Sequence, residues 1–110
     1  MPKPTEEDKD RFRALVPDDP RVEVKPMFGN LAAFVNGNMF MGLFGADVGL
    51  RLPPEERERL LIIAGTGPFG PEERPMKEYV TIPGTWRGPA DAAEWVDISL
   101  AHIAAMPPRA

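Results

Sequence analysis

Proline has a fixed φ and no amide hydrogen, so it is excluded from helix interiors and from the middle of a sheet. This chain carries 14 prolines in 110 residues, against a usual share of about 5%. Its 43% hydrophobic and 27% charged residues are those of a folded domain and not of a low-complexity tract. The prolines must therefore punctuate the secondary structure, and their positions divide the chain. Pro17 and Pro20 close a first helix, and Pro53 and Pro54 open a second. Pro68, Pro71 and Pro75 stiffen one loop, Pro83 and Pro89 bracket the approach to a third helix, and Pro107 and Pro108 end it. Only Pro26 falls inside or at the end of a strand, which predicts a sheet edge or a bulge just before Met27-Phe28-Gly29.

Between these marks the apolar spacing assigns the elements. Thr5 with Asp8 three residues on is a helix start, and Phe12, Leu15 and Val16 share a face, giving a helix over Thr5–Leu15. Charged residues and valines alternate from Arg21 to Lys25, as in a half-buried strand. Leu31–Val35 and Asn38–Phe44 flank Asn36-Gly37, a strong hairpin signal, and Asp47–Leu52 alternates again. Acidic residues follow Pro53-Pro54 at the positive end of a second helix, whose Arg57, Leu60, Leu61 and Ala64 share a face and whose C′ position falls to Gly65. Thr66–Pro75 reads as loop and Met76–Ile82 as a strand. Ala92, Trp95, Val96, Ser99, Leu100 and Ile103 form the apolar stripe of the last helix, which starts near Pro89. The order is α-β-β-β-β-α-β-α. Links this short cannot be parallel crossovers, so the class is α+β, a mainly antiparallel sheet of about five strands with three helices. At this length a single domain over 1–110 is expected, with an ordered core of about 5–106.

Composition removes several function classes. A net charge of −4 and a pI near 5.0 argue against direct nucleic-acid binding, since such domains usually carry a basic face. Without cysteine there are no disulfides, thiolate metal sites or cysteine nucleophiles. The charged N-terminus is unlike a secretory signal, and no apolar run is long enough for a membrane span, so a cytoplasmic protein is expected. Gly65-Thr66-Gly67-Pro68-Phe69-Gly70 matches G-x-G-x-x-G, but a helix precedes it and Pro68 and Pro71 remove donors a phosphate would need. It is a helix-ending loop with Phe69 tucked into the core. His102 and Ser99, the single histidine and serine, have no orienting acid at helical spacing. The clusters Glu6-Glu7-Asp8 and Glu55-Glu56-Glu58 suit helix first turns, and Glu72-Glu73 a solvated face. No catalytic, metal or cofactor constellation results.

The central hairpin is apolar on both faces, with Met39, Met41 and Leu43 expected on one side and Phe40 and Phe44 on the other. Either the three helices cover both faces or a second protein, most simply another copy, covers part of one. Two further stretches each set a lysine beside methionine and an aromatic: Lys25-Pro26-Met27-Phe28-Gly29-Asn30 and Pro75-Met76-Lys77-Glu78-Tyr79. One reading puts their apolar members in the core and their lysines at strand edges. The other gathers Lys25, Met27, Phe28, Gly29, Lys77 and Tyr79 into a candidate interaction patch.

The same stretches carry a resemblance. Lys25-Pro26-Met27-Phe28-Gly29, Leu31, Phe34-Val35-Asn36-Gly37 and Met39-Phe40 resemble the opening of the TfoX/Sxy N-terminal domain family. Ala64-Gly65, Pro68-Phe69, Pro75-Met76-Lys77, Tyr79, Pro83 and Trp95 follow in the family's order, over about 10–105. Asn30 stands where the family pattern has a second glycine. Asparagine tolerates a left-handed backbone, so the turn is expected to survive.

The resemblance implies a secretion-chaperone-like α+β domain without established catalytic residues. It also implies a regulatory role: founding members control competence and DNA-uptake genes with the cAMP-receptor transcription factor, and usually carry a second, C-terminal domain. The expectation is a stand-alone, non-enzymatic regulatory or protein-interaction domain. Its partner would be itself, as a homodimer, or a transcription regulator. The alternatives are a nucleic-acid-associated regulator using Arg21, Lys25, Arg51, Arg74 and Lys77, and a small-molecule binder at Lys25, Lys77 and Tyr79.

Overall fold

The computed structural model describes residues 3–86 and 88–108; positions 1, 2, 87, 109 and 110 of the expected single domain lie outside them. The helices are α1 (Glu6–Leu15), α2 (Pro54–Leu61) and α3 (Pro89–Ala104). The strands are β1 (Val22–Met27), β2 (Asn30–Val35), β3 (Asn38–Phe44), β4 (Asp47–Arg51), β5 (Gly67–Pro68) and β6 (Tyr79–Thr81). They make one antiparallel six-stranded sheet in the order β1-β2-β3-β4-β6-β5. The α+β class and the three helices agree with the sequence. The sixth strand is β5, two residues in the Gly/Pro loop, where Pro68 is tolerated because β5 lies at the sheet edge. The predicted Met76–Ile82 strand shortens to Tyr79–Thr81, because residues 76–79 form a turn closed by the Tyr79 amide on the Met76 carbonyl. Gly65 is left-handed (φ 91°) but lies beyond the α2 C-cap, Ile62, in a following turn closed by Thr66 N–H on the Ile63 carbonyl.

Thr5 and Asp8 close the capping box of α1, as their spacing predicts. Asn36 and Gly37 both take positive φ, the type I′ geometry that Asn-Gly favours. A second turn of that kind joins β1 to β2, with Phe28 at φ 48° and Gly29 at φ 82°. Asn30, expected to supply left-handed tolerance, is instead the first residue of β2. In a two-residue hairpin the pair flanking the turn, here Met27 and Asn30, is hydrogen-bonded, so Pro26 opposite Leu31 is not. The Pro26 nitrogen therefore points away from β2. β1 is the outermost strand there, and proline breaks no ladder bond.

A bulge in β3 decides which face each hairpin residue takes. Ala33 pairs with Met41 but Phe34 pairs with Met39, leaving Phe40 as the extra residue. The inserted residue flips the alternation. The expected grouping of Met39 with Met41 and Leu43 is thereby corrected. Met41, Leu43 and Phe40 join the helix-side core, while Met39 lines a groove with Phe44 on the other face. The bulge also takes the Phe40 carbonyl out of register, and the buried Ser99 hydroxyl of α3 answers it. Ser99 Oγ lies 2.8 Å from the Phe40 carbonyl and 2.7 Å from that of Arg51, sharing its one proton between them.

The helix side holds Phe12 and Leu15 of α1, Leu60 of α2, and Ala92, Trp95, Val96, Leu100 and Ile103 of α3 against the sheet. Arg11 is buried on α1, in a run of charged residues that gave no sign of it. Its guanidinium donates to the carbonyls of Trp86, Pro83 and Ala46, tying α1 to the loop before α3 and to the β3–β4 turn.

No helix accounts for the cover of the opposite face. Ala32, Gly42, Gly49 and Thr81 stand side by side in β2, β3, β4 and β6, a row of small side chains across the sheet. Phe69, from the loop between β5 and β6, lies on that row and is 2% exposed. A Cβ built on Gly49 would sit 2.3 Å from its ring carbon Cγ. The helices cover one face and a loop covers part of the other, which corrects the expectation that the helices or a second protein would do so.

Candidate functional site

Beside Phe69 the second face stays open. A groove of about 290 Å³ runs from the β1–β2 turn past Phe69 to the following loop, lined by Met27, Phe28, Asn30, Leu31, Met39, Leu43, Phe44, Phe69, Pro71 and Met76. Its floor is aromatic: the Phe69 ring stacks on Tyr79 at 5.7 Å and meets Phe44 edge-on at 6.4 Å. Asn30 is the single polar side chain in that lining, and its Oδ1 accepts the Gly45 N–H at 2.9 Å, holding the β1–β2 and β3–β4 turns together. Such a wall suits apolar side chains.

Phe28 stands at the groove rim with two unfavourable features at once. It is 83% exposed, and as a bulky aromatic at positive φ it occupies a backbone region that glycine or asparagine fills far more easily. Strain of this kind gathers at functional positions.

The six residues gathered from sequence divide among three places. Met27 and Phe28 line the groove, and Gly29 completes its turn. Lys25 lies on β1 with its ammonium 3.2 Å from Glu23 and 5.2 Å from the centre of the Phe34 ring. Lys77 and Tyr79 line a separate cleft of about 500 Å³ between α2 and the β5–β6 edge, together with Arg57. Met76 lines both, and so joins them. The sequence pointed to Met27 and Phe28 but not to Phe44 and Phe69. Phe69 reaches the groove only through loop closure, and an isolated Phe between prolines carries no such signal.

Of the five cations of the nucleic-acid reading, Arg21, Lys25 and Arg51 are ion-paired to Asp19, Glu23 and Glu78. His102 is half-buried at the flank of α3, and Ser99 spends its hydroxyl on the two carbonyls. Among the described residues no cluster of three His, Asp or Glu is placed to hold a metal ion, and no helix is long and apolar enough to cross a membrane.

The Tyr79 hydroxyl donates to the Met39 carbonyl at 3.2 Å, and Arg51 Nη1 donates to the same oxygen at 3.3 Å. Burial pushes the phenol up from 10.0 to about 12; nearby Arg51 opposes this and Glu78 adds to it. The folded state thus holds this proton more tightly than the unfolded chain, so the stability it adds is complete below pH 10 and lost as pH rises toward 12. Tyr79 is the chain's only tyrosine, so tyrosinate absorbance reads it alone. The expected midpoint is near 12 in the folded protein and near 10 in denaturant.

The family model described as the TfoX N-terminal domain matches residues 6–103 of this chain. No curated protein and no solved structure matches it.

Proposed function

The chain belongs to the TfoX N-terminal domain family, and from that premise we infer a non-enzymatic regulatory domain that holds a protein partner at the Phe28 turn. The observation that carries this is an exposed, strained phenylalanine on the rim of an apolar groove. The occupant is a protein segment that presents an apolar side chain. With the Asn30 carbonyl oxygen already engaged by Gly45, the groove walls offer a polar metabolite or a phosphate little to bind. The partner the family resemblance implies is a transcription regulator.

Phe28→Asn separates binding from folding. Asparagine suits the type I′ position, so the variant is expected to be more stable by about 1 kcal/mol, read as a higher Tm. It is also expected to lose the partner that the wild-type chain captures from its native host. A Phe28→Asn protein that retains the full set of captured partners ends this reading.

A further inference from the structure

No strand pairs with the outer edge of β1, although its Val22 N–H is taken by the Asp19 carbonyl, and Glu23, Val24, Lys25 and Pro26 are all exposed on it. We propose that this edge pairs antiparallel with β1 of a second copy about a two-fold axis at Val24, joining two sheets into one.

The hydrogen-bond phase and the charge order both select that register. Because Met27 pairs with Asn30 at the turn, the outward backbone groups belong to Val22, Val24 and Pro26. Centred on Val24, the two Val24 residues exchange both of their bonds, and the ladder stops there: each Val22 N–H is already held by the Asp19 carbonyl of its own chain at 2.9 Å, and Pro26 has no N–H to offer. In the same register Glu23 faces Lys25 of the second copy, twice, across a non-hydrogen-bonded pair where side chains lie closest. A shift of the axis by one residue is punished. Centred on Glu23, the strands oppose Glu23 to itself and Lys25 to Arg21; centred on Lys25, they oppose Lys25 to itself. Lysine and proline on an edge ordinarily keep other strands away. Here their placement rejects most registers and admits one. The pairing uses the strand's edge and leaves the groove on the sheet face unoccupied, so it does not depend on the partner reading above.

Two charge reversals test it by sedimentation from micromolar to millimolar concentration. The wild-type chain is expected to form a dimer as concentration rises. Glu23→Lys alone and Lys25→Glu alone each place like charges at both contacts, and each is expected to weaken the dimer about tenfold or more. Mixed in equal amounts, the two variants oppose lysine to glutamate at both contacts and are expected to dimerise again. Glu23→Lys also lowers the net negative charge, so a loss of association cannot come from general repulsion. A chain that stays monomeric throughout overturns the proposal. So does a dimer indifferent to both reversals, or a mixture that fails to associate while circular dichroism reports both variants folded.

Discussion

Phe69→Ala is expected to cost about 3–5 kcal/mol, the range for removing a buried aromatic, and Gly49→Ala beneath it about 1–3 kcal/mol by overpacking. Gly49 lies in a strand at an ordinary φ, so alanine there would otherwise be neutral or helpful. The cost arises from the ring. The added methyl would stand 2.3 Å from Phe69 Cγ and 2.4 Å from Cδ1, near the root of the side chain where no small rotation clears it. Gly42→Ala is the internal comparison. Its closest conflict is Met39 Cε, the far end of a flexible side chain, with the Phe69 ring no nearer than 3.3 Å. It is expected to cost less than Gly49→Ala. The double variant Phe69→Ala/Gly49→Ala is diagnostic: with the ring gone, the Gly49 substitution becomes close to neutral, and the cycle returns most of its cost as coupling. At about 4 °C or more per kcal/mol for a domain near this size, thermal melts resolve all four proteins. Additive effects in the double variant would mean that Phe69 is not seated on Gly49.

Ser99→Ala is expected to destabilise by about 1–3 kcal/mol, because it leaves the buried Phe40 carbonyl and the part-buried Arg51 carbonyl without their shared donor. The Phe40 oxygen cannot turn to water, since Ser99 and Phe40 are both 0% exposed, whereas the Arg51 oxygen lies in a part-buried position. Ser99→Thr keeps the hydroxyl and is expected to recover part of the loss, limited by its extra methyl in a packed core. Ser99→Val has the same shape as threonine without the donor, so the threonine–valine difference in denaturant midpoint isolates the hydrogen bonds from the packing. Equal stability of those two variants would assign Ser99 to packing alone.

Both predictions rest on contacts that the sequence indicates only in part. Ser99 falls on the apolar stripe of α3, which places it inward, but its acceptor at Phe40 exists because of a bulge in β3, 59 residues earlier in the chain. The bulge has no marker in Asn38–Phe44. An extra residue in a strand is a relation between two strands, and neither carries it alone. For the same reason alternation put Met39 on the wrong face. Phe28 is the converse case. Its neighbours read as core by composition, yet the type I′ turn turns its ring outward and leaves it 83% exposed.

What the amino-acid sequence determined by itself is local and covalent in origin. Prolines and glycines set where elements start and stop, the capping pair Thr5–Asp8 and the Asn36-Gly37 turn set how, and short links imposed an antiparallel sheet. Tertiary structure alone decided that a loop and not a helix covers the second face, that Arg11 and Ser99 satisfy carbonyls from distant segments, and that the Lys25 and Tyr79 stretches line different surfaces. The reason is the range of the interactions. Backbone preferences act within a few residues and survive in any context, whereas burial and hydrogen-bond satisfaction depend on which distant segments the closed fold brings together.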